Sequence, residues 1–205
     1  MVFVYILFLL HTNERNPNPV SVTDRYLEHN KKYVSNEGKG ALPMPPSQHI
    51  AVVACMDARL DVYAILGLHE GEAHVIRNAG GVVTEDALRS LIISQRLLGT
   101  TEIVLIHHTD CGMLTFTDDE LREKIAAEVG FKPLFALQAF PNVEEDVREG
   151  LRRIAESPFI PHKHNVRGFV FEVETGKLVE VKLEAEHELS ASASNAVQHQ
   201  NGGVA

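Results

Sequence analysis

Cysteine is scarce in this chain. It has two among 205 residues, where a secreted disulfide scaffold of that length would carry more. The two are far apart in sequence and make no C-x-x-C pair, which argues against a dithiol redox protein. Basic charge is also short: 19 Lys and Arg stand against 28 Asp and Glu, a formal net charge of -9 with eleven His neutral. Nucleic acid and anionic membranes both attract a basic face, so neither is expected as a partner. A bilayer-spanning run is lacking too. The apolar opening, Met1 to Leu10 (MVFVYILFLL), is far shorter than the roughly 20 residues a spanning helix needs. No Lys or Arg precedes it and His11-Thr12-Asn13-Glu14 follow, which departs from the basic start and small-residue cleavage site of a secretory signal. It is expected to be an arm that packs on a neighbour or a mis-assigned start, with a targeting role as the alternative. No internal repeat is present.

What remains is the composition of an ordinary soluble domain, 44% hydrophobic and 23% charged, at a length one hydrophobic core can serve. Residues 1–20 read as an apolar arm and linker, 21–184 as one catalytic domain, and 185–205 as a disordered polar tail with too few apolar residues for a core. Within the domain, Ser21 to Val34 reads as a helix capped by Ser21 or Thr23. Gly38 to Ser47, with its glycines and prolines, reads as a loop. Ile50–Ala54 (IAVVA), Ala73–Arg77 (AHVIR) and Glu102–Ile106 (EIVLI) are short apolar runs rich in β-branched residues, the pattern of strands buried on both faces. Thr84 caps a helix whose Leu88, Leu91, Ile92 and Leu98 recur at helical spacing until Gly99. Asp118–Val129 and Val143–Glu156 are amphipathic, the second opened by an Asn142/Glu145 capping box. Gly168–Val173 and Leu178–Lys182 flank Thr175-Gly176 as a hairpin. Buried strands alternating with helices predict an α/β fold: a mostly parallel central sheet flanked by helices.

In such sheets ligands gather beyond the carboxyl ends of the strands. IAVVA runs into Cys55-Met56-Asp57-Ala58-Arg59, and EIVLI into His107-His108-Thr109-Asp110-Cys111-Gly112. Neighbouring parallel strands would bring both tips to one edge, where Cys55, His108 and Cys111 could share a cation. Two thiolates and an imidazole suit Zn²⁺, and three protein ligands leave the fourth tetrahedral position for water. Another His, or Asp57, could instead close it. H-x-x-C alone says little, because a buried Cys after a strand is usually a small core residue. C-x-D-x-R after one strand and H-x-x-C-G after another is a far more specific combination.

These two segments, Cys55-Met56-Asp57-Ala58-Arg59 and His108-Thr109-Asp110-Cys111-Gly112, together with the turn Arg77-Asn78-Ala79-Gly80-Gly81 between them, resemble the signature motifs of the β-class carbonic anhydrases. HHTDCGM and Asn165-Val166-Arg167-Gly168-Phe169 are similar to the small archaeal and mycobacterial branch. The resemblance covers roughly Val22 to Lys182. It implies one zinc ion per chain on Cys55, His108 and Cys111, and an Asp57–Arg59 dyad beside it. It implies reversible hydration of carbon dioxide to bicarbonate and a proton, with hydroxide supplied by zinc attacking the carbon. It also implies a homodimer or larger homo-oligomer, in which an N-terminal arm wraps the partner. The paired cysteine contexts point to a reducing, cytoplasmic compartment.

Arg59 is expected to grip Asp57 bidentately, keeping the carboxylate ionised and off the metal. Gly80 and Gly81 permit close backbone approach and could offer amides to a substrate oxygen, or form a plain turn. His107 is expected to be packed or hydrogen-bonded, and Asp110 to stabilise a turn. A hydrolase of carbon disulfide or carbonyl sulfide on the same scaffold, and a non-catalytic zinc-binding module, are the competing functions. With three neutral His ligands, as in some carbonic anhydrases, zinc brings its water to a pKa of about 7. Two thiolates cancel more of the metal's charge, so a higher value is expected here. Hydration should therefore rise between about pH 6 and about pH 9; a flat stopped-flow profile over that range would contradict the two-thiolate ligand set.

Overall fold

A computed structural model describes residues 21–35 and 42–183. The apolar opening, the linker after it and the polar tail expected from the sequence lie outside the described residues. The chain divides into two compact units, Met1–Leu42 and Pro43–Ala205. The described part of the first is one helix, α1 (Val22–Ser35). Ser21, the first of the two expected caps, opens it: Ser21 Oγ accepts from Asp24 N–H at 3.0 Å, and Asp24 returns the bond to Ser21 N–H at 2.9 Å. None of the residues of α1 is buried, and Tyr26, Leu27 and Val34 are exposed.

The second unit is built on a five-stranded sheet in the order β2-β1-β3-β4-β5. Its strands are β1 (Ile50–Cys55), β2 (Ala73–Asn78), β3 (Glu102–His108), β4 (Asn165–Phe171) and β5 (Leu178–Val181). The first four run parallel, and β5 returns antiparallel to β4 through the Thr175-Gly176 turn. The mostly parallel sheet read from the sequence is therefore present. The strands run further than the apolar pattern suggested: β1 takes in Cys55, β2 Asn78 and β3 both histidines, and β4 begins at Asn165 where Gly168 was expected. Polar residues can end a strand when neighbouring backbone supplies ladder partners, and here Phe171 on β4 pairs with His108.

Alternation along the strands feeds two cores. On one face Ala51, Val53, Ile103 and Leu105 pack with Ala87 and Leu91 of α3 (Glu85–Leu98) and Val147, Leu151 and Ile154 of α5 (Val143–Glu156). On the other, Val52, Ala54 and Ile106 meet Leu60, Val62, Met113, Phe140 and Phe171. Val62 opens a one-turn helix, α2 (Val62–Leu66), that the sequence reading missed because five residues are too few to show a period. Asp61 caps it, and Gly67 ends it in the left-handed region.

The remaining helix boundaries follow the caps. Thr84 Oγ1 accepts from Ala87 N–H, and Gly99 closes α3 at φ 73°. Thr117 and Glu120 form a reciprocal capping box on α4 (Asp118–Val129). Asn142 accepts from Glu145 N–H at 3.0 Å. The Glu145 side chain does not return the bond; it pairs with Arg148 and Arg152 along α5 instead, since opposite charges on one helix face outcompete a second cap bond.

Helix α5 crosses β4 at Gly168, where an added Cβ would lie 2.4 Å from Val147 Cγ1 and 3.1 Å from Leu151 Cδ1. Both of those side chains are buried and cannot swing aside. Gly168→Ala is expected to cost about 1–3 kcal/mol by overpacking, read as a lowered denaturation midpoint. Unchanged stability would mean that α5 can lift from the sheet freely.

Candidate metal centre

The parallel register sets Ile50 through Ala54 of β1 beside Glu102 through Ile106 of β3. The carboxyl ends of both strands therefore emerge together, with Asn78 at the end of β2 beside Cys55. Cys55, His108 and Cys111 meet there, with sulfur and ring-nitrogen atoms all within 4.8 Å of one another. All three are buried, at 4%, 0% and 3% exposure. Neither cysteine is in a disulfide.

Strand alternation separates the two histidines. His107 points towards α5 and bonds Asp146 Oδ2 through Nε2 at 2.7 Å, so it is held away from the cluster as expected. His108 faces the cluster. Its Nδ1 lies 2.8 Å from the Thr109 carbonyl; a carbonyl can only accept, so Nδ1 carries the proton and Nε2 presents a lone pair. Thr109 is itself pinned, its N–H donating to Phe171 O at 2.9 Å and its Oγ1 accepting from Val173 N–H at 3.0 Å. His108 Nε2 is buried and makes no well-formed hydrogen bond, an arrangement that costs free energy unless something else occupies the lone pair.

Electrostatics agree with that demand. Burial works to raise the Cys55 thiol, but hydrogen bonds with His108 and from the Asp57 and Gly80 amides, with the charge of His108, outweigh it and hold the thiol low. Burial likewise works to lower His108, and its bonds with Cys55 and Thr109 reverse the sign. Cys111 is pushed up to about 11, by burial first and then by the nearby Cys55 and Asp57. The buried Cys111 thiol thus ionises only with a further positive charge beside it, which a divalent cation would supply by displacing its proton.

Asp57 and Arg59 form the pair that the family resemblance implied. Arg59 Nε donates to Asp57 Oδ1 at 2.9 Å and Arg59 Nη2 to Oδ2 at 2.8 Å. Those bonds, with the Arg59 backbone N–H, hold the Asp57 carboxyl far below the usual carboxylate range against the opposing effect of burial. Asp57 Oδ2 stands 3.7 Å from His108 Nε2, beside the cluster but engaged elsewhere. Arg59 also reaches the other loop, giving Nη1 to Asp110 Oδ2 at 2.8 Å and Nη2 to Asp110 O at 3.0 Å. Asp110 turns the chain at φ 55°, so the expected turn residue is also an ion-pair partner.

Arg77 is a residue sequence reasoning overlooked. It donates Nε to Cys55 O at 2.9 Å and Nη2 to Asp57 O at 2.7 Å, clamping the carbonyls on either side of Met56. Only the pairing of Ala54 with Arg77 across two strands puts it there.

Gly80 and Gly81 are buried at φ 81° and 77° in a 3₁₀ turn, Ala79–Gly81. At Gly81 an added Cβ would lie 2.8 Å from Cys55 N and 3.1 Å from Ile106 O. Neither is a side chain able to yield. Gly81→Ala should lose at least about 1–3 kcal/mol and bind less than one zinc per chain by elemental analysis; full occupancy at wild-type stability would refute the close approach.

The carbonic anhydrase family profile matches residues 50–132. Beta-carbonic anhydrase 1 of Mycobacterium tuberculosis is 62% identical over 162 residues, covering 79% of this chain and 99% of that protein. A crystal structure of carbonic anhydrase from Streptococcus mutans superposes with a TM-score of 0.75 at 42% identity, over 79% of this chain and 98% of that one. A carbon disulfide hydrolase of an Acidianus strain is more distant, 31% identical over 76% of this chain and 86% of its own length. Sequence, sheet topology and the grouping of two cysteines with a histidine agree, and the chain belongs to the β-class carbonic anhydrases.

Proposed function

We propose that this chain catalyses the reversible hydration of carbon dioxide to bicarbonate and a proton, on one zinc ion held by Cys55, His108 and Cys111. The observation that carries the reading is a carboxylate gripped on both oxygens by Arg59, 3.7 Å from His108 Nε2 in a buried cluster of two cysteines and a histidine. Bound zinc lowers the pKa of a water it holds and so makes a nucleophile available near neutral pH.

The chain's own residues do the rest. The Thr109 carbonyl fixes His108 in the tautomer that offers Nε2. Arg77 holds the Cys55 carbonyl in position. Asp57 accepts a hydrogen bond from the attacking water and aims its lone pair at the carbon. Arg59 keeps Asp57 ionised and occupied, so that the carboxylate does not compete for the metal. Gly81 brings the turn against both strands.

A cytoplasmic site of action is supported by two free, buried cysteines. Among the described residues no helix is long and apolar enough to cross a membrane. A homo-oligomer is supported by α1, which exposes Tyr26, Leu27 and Val34 and buries nothing. The second reading, hydrolysis of carbon disulfide, draws on relatives of that name at 31% identity and would use the same donors.

Stopped-flow carbon dioxide hydration on protein of known zinc content tests the proposal, with hydrogen sulfide release from carbon disulfide measured alongside. Hydration should track zinc and vanish in Cys111→Ser. Zinc bound at one per chain with sulfide release and no hydration would transfer the reading to the hydrolase. Zinc with neither reaction would leave a binding module.

A further inference from the structure

Arg59 carries a second carboxylate that its pairing with Asp57 does not account for. Four N–H groups of its guanidinium are engaged. Two go to Asp57, Nε to Oδ1 at 2.9 Å and Nη2 to Oδ2 at 2.8 Å. The other two go to Asp110, Nη1 to Oδ2 at 2.8 Å and Nη2 to the backbone carbonyl at 3.0 Å. Asp110 stands 51 positions further along the chain, on the loop after β3, between His108 and Cys111.

The backbone of Asp110 makes this double grip possible. At φ 55° it lies in the left-handed region, which Asp tolerates better than most residues with a Cβ. In that conformation the carbonyl and the carboxylate of one residue reach the same guanidinium. The loop that presents them is itself fixed, because Thr109 N–H donates to Phe171 O at 2.9 Å and Thr109 Oγ1 accepts from Val173 N–H at 3.0 Å. Asp110 therefore ties Arg59 to the frame of β3 and β4, the frame that also places His108.

The contacts close a ring. Asp57 is bound to Arg59, Arg59 to Asp110, and Asp110 follows His108 by two residues, whose Nε2 stands 3.7 Å from Asp57 Oδ2. Without Asp110, a side chain that is 44% exposed would have many other orientations. The Arg59 backbone N–H would still donate to Asp57 Oδ1 at 2.9 Å, but one bond to one oxygen lets a carboxylate pivot.

We propose that Asp110 is a positioning residue: from the loop after β3 it holds the Arg59 guanidinium, and Arg59 so held keeps both oxygens of Asp57 in place beside His108. The inference rests on the functional reading above, in which Asp57 orients the attacking water. Asp110 acts through Arg59 and touches neither the metal donors nor the substrate. An ion pair this exposed adds little to stability, so its removal should be felt in the reaction and not in the fold.

Asp110→Gly tests this in the full, zinc-loaded chain. Glycine keeps the left-handed backbone and its carbonyl, and removes only the carboxylate. Asp110→Asn, which retains an acceptor oxygen without the charge, accompanies it. The Arg59 Nε–H resonance should exchange with water several-fold faster in Asp110→Gly. At full zinc occupancy kcat should fall by between a few-fold and about 100-fold, with KM and the denaturation midpoint little changed. Asp110→Asn should fall between Asp110→Gly and the wild type in both measurements. In an Arg59→Lys background Asp110→Gly should cost little more, since an ammonium cannot fork between two carboxylates.

Unchanged exchange of Arg59 Nε–H in Asp110→Gly would overturn the proposal. So would a loss of kcat as large in the Arg59→Lys background as in the wild type. If Asp110→Gly fails to fold or to bind zinc, Asp110→Asn decides: faster exchange with a lower kcat supports the hold on Arg59, and wild-type values for both refute it. A wild-type protein that binds zinc without hydrating carbon dioxide would overturn the functional reading, and the exchange of Arg59 Nε–H would still decide whether Asp110 holds the pair.

Discussion

Parallel pairing of β1 with β3, Ala54 beside Ile106, is the constraint from which the site follows. Parallel strands present the same end to the same edge, so the residues just past Ala54 and Ile106 have no choice but to meet. A slip of one residue would turn His108 towards α5 and His107 towards the cluster. What prevents the slip is burial on both faces: Ala51, Val53, Ile103 and Leu105 fill one core, and Val52, Ala54 and Ile106 the other. Each fully buried Val, Leu or Ile is worth about 1.5–3 kcal/mol, and shifting the register would misplace all of them together.

Around that edge the protein spends polar groups on keeping other polar groups still. Arg77 ties down the carbonyls of Cys55 and Asp57. Thr109 holds the ring of His108. Arg59 joins the loop after β1 to the loop after β3 by gripping Asp57 and Asp110 at once. The Arg59–Asp110 pair is exposed, with Asp110 at 85%, so as a contribution to stability it is small. Its effect is geometric: with both edges of the guanidinium occupied, Arg59 has few orientations left. The buried donors are the opposite case. The Cys111 thiol, packed out of water, ionises only with a further positive charge beside it, and a cation would supply that charge.

Much of this was legible in the sequence, for reasons that differ by element. The helices over 118–129 and 143–156 could be placed to the residue, because capping side chains and the 3.6 period are local signals. The strands were found but cut short, since β3 continues through two histidines that no apolar pattern would include. Helix α2 was missed because one turn carries no period. At the site, C-x-D-x-R and H-x-x-C-G named the clustered residues, and the family resemblance they carry paired Asp57 with Arg59. Arg77 stood in the turn motif with no role attached, and Phe140 left no comparable mark. Each acts on a segment distant in sequence, and nothing in its own neighbourhood records the partner.

By itself the sequence determined which donor chemistry the protein carries and which segments become strands, because residue type and hydropathy period are properties of short stretches of chain. The tertiary structure decided what those donors face. It set the proton of His108 on Nδ1 through a carbonyl one residue away, and packed the Phe140 ring against Gly80. Such choices depend on distances of a few tenths of an ångström between segments tens of residues apart, and only the packed sheet and the turns at its edge establish them.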